Sequence, residues 1–486
     1  MREDAQPTST PLGPEDLVMW SVDQPRQRTT MALLMLLDRR PDPERLRAAV
    51  ERAIRAVPRM RERVVEAPFD LSLPRWESDP TFDLDYHLRR YAQAEPEPGE
   101  DELEALFRTV GPIYERPFDR TRPLWELIEI DRAEGRSAVF FRLHHAMADG
   151  VGGNAILAAL TDADREGQPL PPSSRKTPGR WEEPPFAARL ARAATRRVGE
   201  GLDRARLAAG AVATGVRHPG RALDVGRAVA RTVWDGRAAG RSHQVEFGRS
   251  RHLSGFSLDF EPLRRARRVL DGRMIDLLLA GVAGAMEGWY RAHGDADVRE
   301  ALTAVPINLR PPEERGLAAQ LGNRTTMVII RLPLGLRDPR KRIAEIHRRM
   351  EEAKASPTTE LTPQLARLLS GAPRWLFRAV SVPVSGNMDL IVTNVPGLPV
   401  ERYLAGARIT AGFPIAPTAP HTPVSIALYG YAGRLYVGLD ADGTAMTDAG
   451  EFRAQLERSF AEIVHAAEEA AREAGAGMAA GEARPA

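Results

Sequence analysis

Short apolar runs, each followed by a polar turn and then by apolar residues at every third or fourth position, recur along this chain. In "TTMALLMLLDRRPDPERLRAAVERAIRAVP", starting at Thr29, the apolar run predicts a strand, and Leu46, Val50 and Ile54 form a helical stripe. Asp42 and Pro43 open that helix, aspartate as N-cap and proline in the first helical position, and Pro58 ends it. "TTMVIIRLPLGLRDPRKRIAEIHRRM" repeats the plan, with a strand from Thr325 to Arg331, a start at Asp338 and Pro339, and a stripe of Ile343, Ile346 and Met350. A third unit runs through "FFRLHHAMADGVGG". Ser137 to Leu143 reads as a strand, Asn154 to Leu160 as the start of a helix, and the aspartate and glycines between them as the turn. Strand and helix in alternation predict an α/β fold, and the first two units predict two domains of related architecture.

The stretch between those domains differs in character. "PLPPSSRKTPGRWEEPPF" is a proline-rich linker, and Phe186 to Arg241 then continues through helical segments rich in Arg and Ala. The expected division is an N-terminal domain over 1–170, linker and crossover over 171–244, and a C-terminal domain over 245–486, in keeping with a length of 486 residues. Phe186, Leu190, Val198 and Leu202 read as one helical face. From Phe186 to Arg241 there are twelve arginines against Glu200, Asp203, Asp224 and Asp235, a net +8, so the remainder carries −6 to give the chain total of +2. Such a segment suits an anionic lipid surface, and a crossover helix packed between the domains explains its apolar face equally well.

Composition narrows the classes. With 43% hydrophobic and 28% charged residues the chain reads as globular, and its lack of cysteine excludes disulfides, thiolate metal sites and a cysteine nucleophile. The polar start "MREDAQPTSTPLGPEDL" has no signal-peptide core, and the most apolar stretch, "DLLLAGVAGAMEGWY", is bracketed by Asp276 and Glu287. A cytoplasmic protein with at most peripheral membrane contact is expected. Arginines mostly alternate with acids, as in "RRMEEAK", and no aromatic-basic motif accompanies them, so no nucleic-acid partner is expected.

The chain has ten histidines, and two of them, His144 and His145, stand side by side at a strand end. Adjacent residues of a strand point to opposite faces, so one metal ion does not readily take both, and no HExxH or second cluster accompanies them. No G-x-S-x-G elbow marks a serine hydrolase. The bland reading is that both rings satisfy turn backbone groups.

The full string His144-His145-x-x-x-Asp149-Gly150 matches the HHxxxDG signature of acyltransferases with a chloramphenicol-acetyltransferase-like fold. Around it, in order, stand "LGPEDLVMWSVD", "RPLWE" at Arg122, "VPINLR" at Val305, "LGNR" at Leu321, "VTNVPG" at Val392, "YLAGARI" at Tyr403 and "YAGRLYVGLDAD" at Tyr431. Together they resemble the bacterial wax-ester synthase/diacylglycerol acyltransferase family over nearly the whole chain. The resemblance implies two α/β domains with mixed sheets and an active-site tunnel at their interface. It implies transfer of a long-chain fatty acyl group from acyl-CoA, a co-substrate, to diacylglycerol or a fatty alcohol, at a membrane face or lipid inclusion and with neither cofactor nor metal. The alternatives are another alcohol acceptor, such as a polyketide or glycolipid hydroxyl, or a non-catalytic lipid-inclusion protein.

Carried over by position, His145 is the general base, with His144 supporting it and Asp149 and Gly150 shaping the loop. In related transferases the aspartate pairs with an arginine, for which Arg61 and Arg310 are the candidates. Asn323, Thr393 and Asn394 are candidate donors to the oxyanion or acceptor, and Trp125, Gly153 and Asp276 are expected at the tunnel or domain interface. One block departs from the family. In "RMIDLLLAGVAGA" Asp276 is kept but Ile275 stands where an asparagine is usual, which implies an altered acceptor preference or reduced activity.

Overall fold

The computed structural model describes residues 9–24, 28–167, 183–217, 220, 246–308, 323–356 and 388–482. Its first half contains β1 (Thr10–Pro11), α1 (Pro14–Val22), β2 (Thr30–Leu37), α2 (Pro43–Ala56), β3 (Glu62–Val65), β4 (Arg75–Ser78) and α3 (Leu84–His87). It continues with β5 (Leu88–Ala92), α4 (Glu102–Glu115), β6 (Trp125–Asp131), β7 (Ser137–His144), α5 (Gly150–Leu160) and the long α6 (Phe186–Arg217). The second half contains β8 (Arg251–Asp259), α7 (Phe260–Val269), α8 (Met274–Ala292), β9 (Glu300–Asn308), β10 (Thr325–Pro333) and α9 (Pro339–Lys354). It ends with β11 (Leu390–Val395), β12 (Tyr403–Leu404), β13 (Ala407–Ile415), β14 (Val424–Tyr431), β15 (Arg434–Asp442) and α10 (Ala449–Glu482).

The two expected helix starts form for the expected reason. The Asp42 side chain accepts from Arg45 N at 2.9 Å, and that of Asp338 from Arg340 N at 2.9 Å, each ahead of a proline in the first helical position. Leu46, Val50 and Ile54 face one core, and Ile343, Ile346 and Met350 face the other. β10 runs on to Pro333, beyond the strand predicted from sequence; as the outermost strand of its sheet it leaves proline without a ladder bond to lose.

Two six-stranded sheets result, in the orders β12-β13-β2-β7-β6-β5 and β10-β9-β11-β14-β15-β8, beside a small sheet β1-β4-β3. Both large sheets are mixed: β5 is parallel to β6, β11 is parallel to β9 and β14, and the other pairs are antiparallel. Each sheet has its own core. One hairpin crosses over. β12 and β13 belong by sequence to the second half, yet β13 pairs with β2, Phe413 opposite Leu34, and Leu404, Ile409 and Phe413 enter the first core. The sheets touch there closely. A Cβ on Gly438 of β15 would lie 1.7 Å from the Pro414 carbonyl oxygen of β13, so only glycine allows that approach.

Helix α6 does not lie between the sheets. Its inner side is polar: Arg196 reaches Glu77 and Ser9, Arg197 reaches Leu71 O, and Glu200 accepts from Leu73 N. Leu190 and Ala193 turn inward with them, so Leu190 is not on the same face as Val198 and Leu202. Outward stand Ala187, Ala191, Ala194, Val198, Leu202, Ala205 and Ala209, with Val198 66% and Leu202 58% exposed. Phe186 meets the 81% exposed Phe69 edge to face at 6.1 Å between ring centres. Most of 218–245, the rest of the Arg-rich stretch, lies outside the described residues.

Candidate functional site

β7 carries the histidine pair and is buried along its whole length. Arg142, wholly buried two residues before the pair, binds Glu126 through Nε at 3.0 Å and Nη2 at 2.9 Å, and donates through Nη1 to Ile113 O and Arg116 O. A charge buried in that way is held by a full set of partners, which fixes the strand end. Of the residues from Ser137 to Asp149, His145 alone is not buried.

The two rings have different surroundings. Nδ1 of His144 accepts from Ala146 N at 3.0 Å, so its proton sits on Nε2, which donates to Thr29 Oγ1 at 2.9 Å. Burial pushes its pKa down, against the pull of Asp23, whose Oδ2 lies 3.8 Å from Nε2. His144 is therefore a neutral core ring, packed between Trp20 and Phe118. His145 is pinned by its backbone N–H to Thr29 O at 2.7 Å. Its Nδ1 lies 2.9 Å from Asn323 Oδ1, and no hydrogen bond occupies Nε2 among the described residues.

Asn323 comes from the second half, immediately before β10. Its amide Nδ2 donates to the His145 carbonyl at 2.7 Å and to Asp16 Oδ1 at 2.8 Å, and its backbone N–H donates to Asp16 Oδ1 at 3.1 Å. Both amide hydrogens are thereby engaged, so the donor role expected of Asn323 toward an oxyanion does not fit its geometry. Asp16 lies in the first turn of α1, with Arg59 Nη1 3.7 Å from its Oδ2; burial pushes its carboxyl up, opposed by Arg59 and the Asn323 donors. Within the block "LGPEDLVMWSVD" nothing local marks Asp16 as a site residue. An apolar-periodic pattern has no signal for a partner 307 positions away.

Asp149 joins the same seam. Oδ1 accepts from Val151 N at 3.1 Å and Gly152 N at 3.0 Å, capping α5, while Oδ2 accepts from Arg324 N at 3.1 Å and Thr325 Oγ1 at 3.0 Å. That cap starts the helix at Gly150, four positions before the predicted start, so the glycines are helical and not the turn. Their smallness serves packing: a Cβ on Gly150 would lie 2.7 Å from Val395 Cγ2 at the end of β11, and one on Gly153 3.0 Å from Met31 Cε. Asn154 donates to Pro396 O, again across the halves. Thr393, half-buried, and Asn394, exposed, lie on β11 just before Val395.

Other expected residues lie apart from this cluster. Arg61 is exposed, its guanidinium 5.1 Å over the Phe82 ring, and Arg310 is outside the described residues. Trp125 is not at the interface but in the first core, because β6 is buried on both faces; its Nε1 donates to Met60 O at 2.8 Å and its ring stacks 4.5 Å from His87. Asp276 opens α8, accepting from Arg273 N at 2.9 Å and from His347 Nδ1 at 2.7 Å, and Ile275 packs against the second core. Neither is hydrogen-bonded to the His145 cluster among the described residues.

A family model described as the wax ester synthase/diacylglycerol acyltransferase catalytic domain matches residues 12–278, and one described as the WS/DGAT C-terminal domain matches residues 321–464. A Mycobacterium tuberculosis (strain H37Rv) relative carrying the name diacylglycerol O-acyltransferase is 30% identical over 467 residues, covering 94% of this chain and 92% of its own. A second from that strain, tgs1, is 27% identical over 449 residues, covering 89% and 90%. In fold the chain is similar to the wax ester synthase/diacylglycerol acyltransferase of Marinobacter aquaeolei VT8, with a TM-score of 0.62 at 19% identity over 94% of this chain and all of that one. It is similar also to the first condensation domain of the calcium-dependent antibiotic synthetase, with a TM-score of 0.59 at 16% identity over 95% and 96%. The mixed two-sheet architecture is of the chloramphenicol-acetyltransferase-like type.

Proposed function

The chain belongs to the wax ester synthase/diacylglycerol acyltransferase family, and from that premise we propose that it moves a long-chain fatty acyl group from coenzyme A to the hydroxyl of diacylglycerol, of a long-chain alcohol, or of both, with His145 as general base. The observation that carries this reading is the state of the one partly exposed ring on the motif. Nδ1 faces an acceptor, Asn323 Oδ1, at 2.9 Å, which puts the proton there and leaves the Nε2 lone pair available. Nε2 removes the acceptor's hydroxyl proton as its oxygen attacks the thioester carbonyl carbon. The tetrahedral oxyanion then collapses, the carbon–sulfur bond breaks, and the imidazolium returns the proton to the departing thiolate. Free coenzyme A and an ester result, the ring ends neutral, and no acyl-enzyme is needed in a chain without cysteine.

Substrates meet, in this reading, at the seam where His145, Asp149 and Gly150 face Asn323, Thr325 and Val395. Thr393 and Asn394, next to that seam, are the remaining oxyanion candidates. Substrates this apolar must come from a lipid phase. The outward stripe of α6, with Phe69 and Phe186 beside it and the exposed Arg192 and Arg206 along its flanks, suits an anionic lipid surface. Among the described residues no helix is long and apolar enough to cross a membrane.

The test uses the absence of protein thiols, which gives a thiol-reactive dye no background. Purified protein with palmitoyl-CoA should release coenzyme A only when diolein or hexadecanol is added, and the lipid products should contain the matching ester. Folded His145→Ala protein should lose about 10²- to 10⁴-fold of that rate, the usual worth of a positioned base. Full activity in the folded variant would remove His145 from the chemistry. Acyl-CoA binding without release would favour the non-catalytic alternative.

A further inference from the structure

We infer that Asp16 and Asn323 form a relay that selects the reactive tautomer of His145, Asp16 being a positioning residue at its far end. The inference depends on the general-base reading for its catalytic consequence, and on geometry alone for the tautomer.

A primary amide has two ends of nearly the same shape and opposite hydrogen-bond character, so whichever end faces a histidine decides which ring nitrogen carries the proton. At Asn323 the choice is made from behind. The Asp16 carboxylate only accepts when ionised, and its Oδ1 lies 2.8 Å from the amide nitrogen. The second amide hydrogen goes to the His145 carbonyl at 2.7 Å, another group that only accepts. The amide oxygen is thereby turned to Nδ1, 2.9 Å away. Reversing the amide would set oxygen against oxygen at both Asp16 and the His145 carbonyl, losing the hydrogen bond at each. It would also put an N–H against Nδ1 and move the ring proton to Nε2, the atom that must act as base.

Asp16 is itself held. It sits in the first turn of α1, where the helix N-terminus favours a negative charge, and Arg59 is 3.7 Å from its Oδ2 while lying 4.3 Å over the Trp76 ring. Asp16 and His145 are in the first half and Asn323 in the second, so the correct tautomer exists only when the halves are joined.

The experiment is nitrogen-15 NMR of protein labelled at histidine, with ten histidines in all and His145 assigned by its loss in His145→Gln. Wild-type His145 should show a protonated Nδ1 and an unprotonated Nε2. In Asp16→Ala and in Asn323→Ala the proton should shift toward Nε2, and kcat should fall about 10²-fold with KM little changed, as expected when a base is lost and binding is not. A His145 tautomer unmoved in folded Asp16→Ala overturns the relay, as does a loss of activity carried by KM alone. A tautomer that shifts while His145→Gln keeps full activity leaves the relay standing and sinks the general-base reading instead.

Discussion

His87 stacks on Trp125 at 4.5 Å and donates from Nδ1 to the Trp125 carbonyl at 2.7 Å, while its Nε2 is buried without a hydrogen-bond partner among the described residues. Burial holds its pKa at about 4, below the ordinary 6.5, because a second ring proton would have no acceptor. Above pH 6.5 the ring is neutral folded or unfolded and its contribution is complete. As pH falls from 6.5 toward 4 the unfolded chain takes up a proton that the folded one refuses, and about 3 kcal/mol of stability is lost. Urea midpoints between pH 7 and pH 4 should therefore drop less steeply in His87→Gln than in the wild type; parallel slopes would show that His87 is not the source. Such a role was not legible in the sequence, where His87 stands in an ordinary polar stretch. His144 and His145 were legible as a pair because their motif is local. The division of labour between them was not, since it is set by Ala146 N on one ring and Asn323 on the other.

At the scale of elements, the caps at Asp42 and Asp338 and the stripes behind them could be read directly, because a cap and its helix are neighbours in sequence. The start of α5 could not. A run of glycines reads as a turn until Val395 and Met31 are seen against it, and only then is their size explained by contact instead of by backbone freedom. The same logic gives a prediction at β15. A Cβ on Gly438 would lie 1.7 Å from Pro414 O and 2.9 Å from Pro414 C, and backbone cannot step aside as a rotamer does. Gly438→Ala should cost at least about 1–3 kcal/mol by forcing β13 and β15 apart, seen as a lower melting temperature. Gly450→Ala, with nothing within 4 Å of the new methyl, is the control and should not melt lower. Equal melting temperatures for the two variants would mean that the sheets accommodate the methyl.

For the whole molecule, the α/β class and two cores were legible from the repeated strand–turn–helix units, but the hairpin that leaves one half for the sheet of the other was not. Nothing in the pattern of Tyr403 to Ile415 names its partner strand. The outward face of α6 belongs to this scale as well. Burying Val198 and Leu202 would contribute about 1.5–3 kcal/mol each, and each arginine near an anionic headgroup about 1 kcal/mol. The protein should sediment with vesicles containing phosphatidylglycerol more than with pure phosphatidylcholine, and Val198→Asp/Leu202→Asp should stay in the supernatant. Equal sedimentation of the variant would rule this face out. The crossed hairpin also bears on the order in which the protein is made. A ribosome releases His145 early, Asn323 well after it, and the β13 edge of the first sheet later still. The nascent chain thus carries its base through the 178 positions up to Asn323 with neither the partner that sets the ring proton nor a closed sheet beneath it. Competence arrives only once β13 has left the exit tunnel and closed on β2, drawing the earlier strands together.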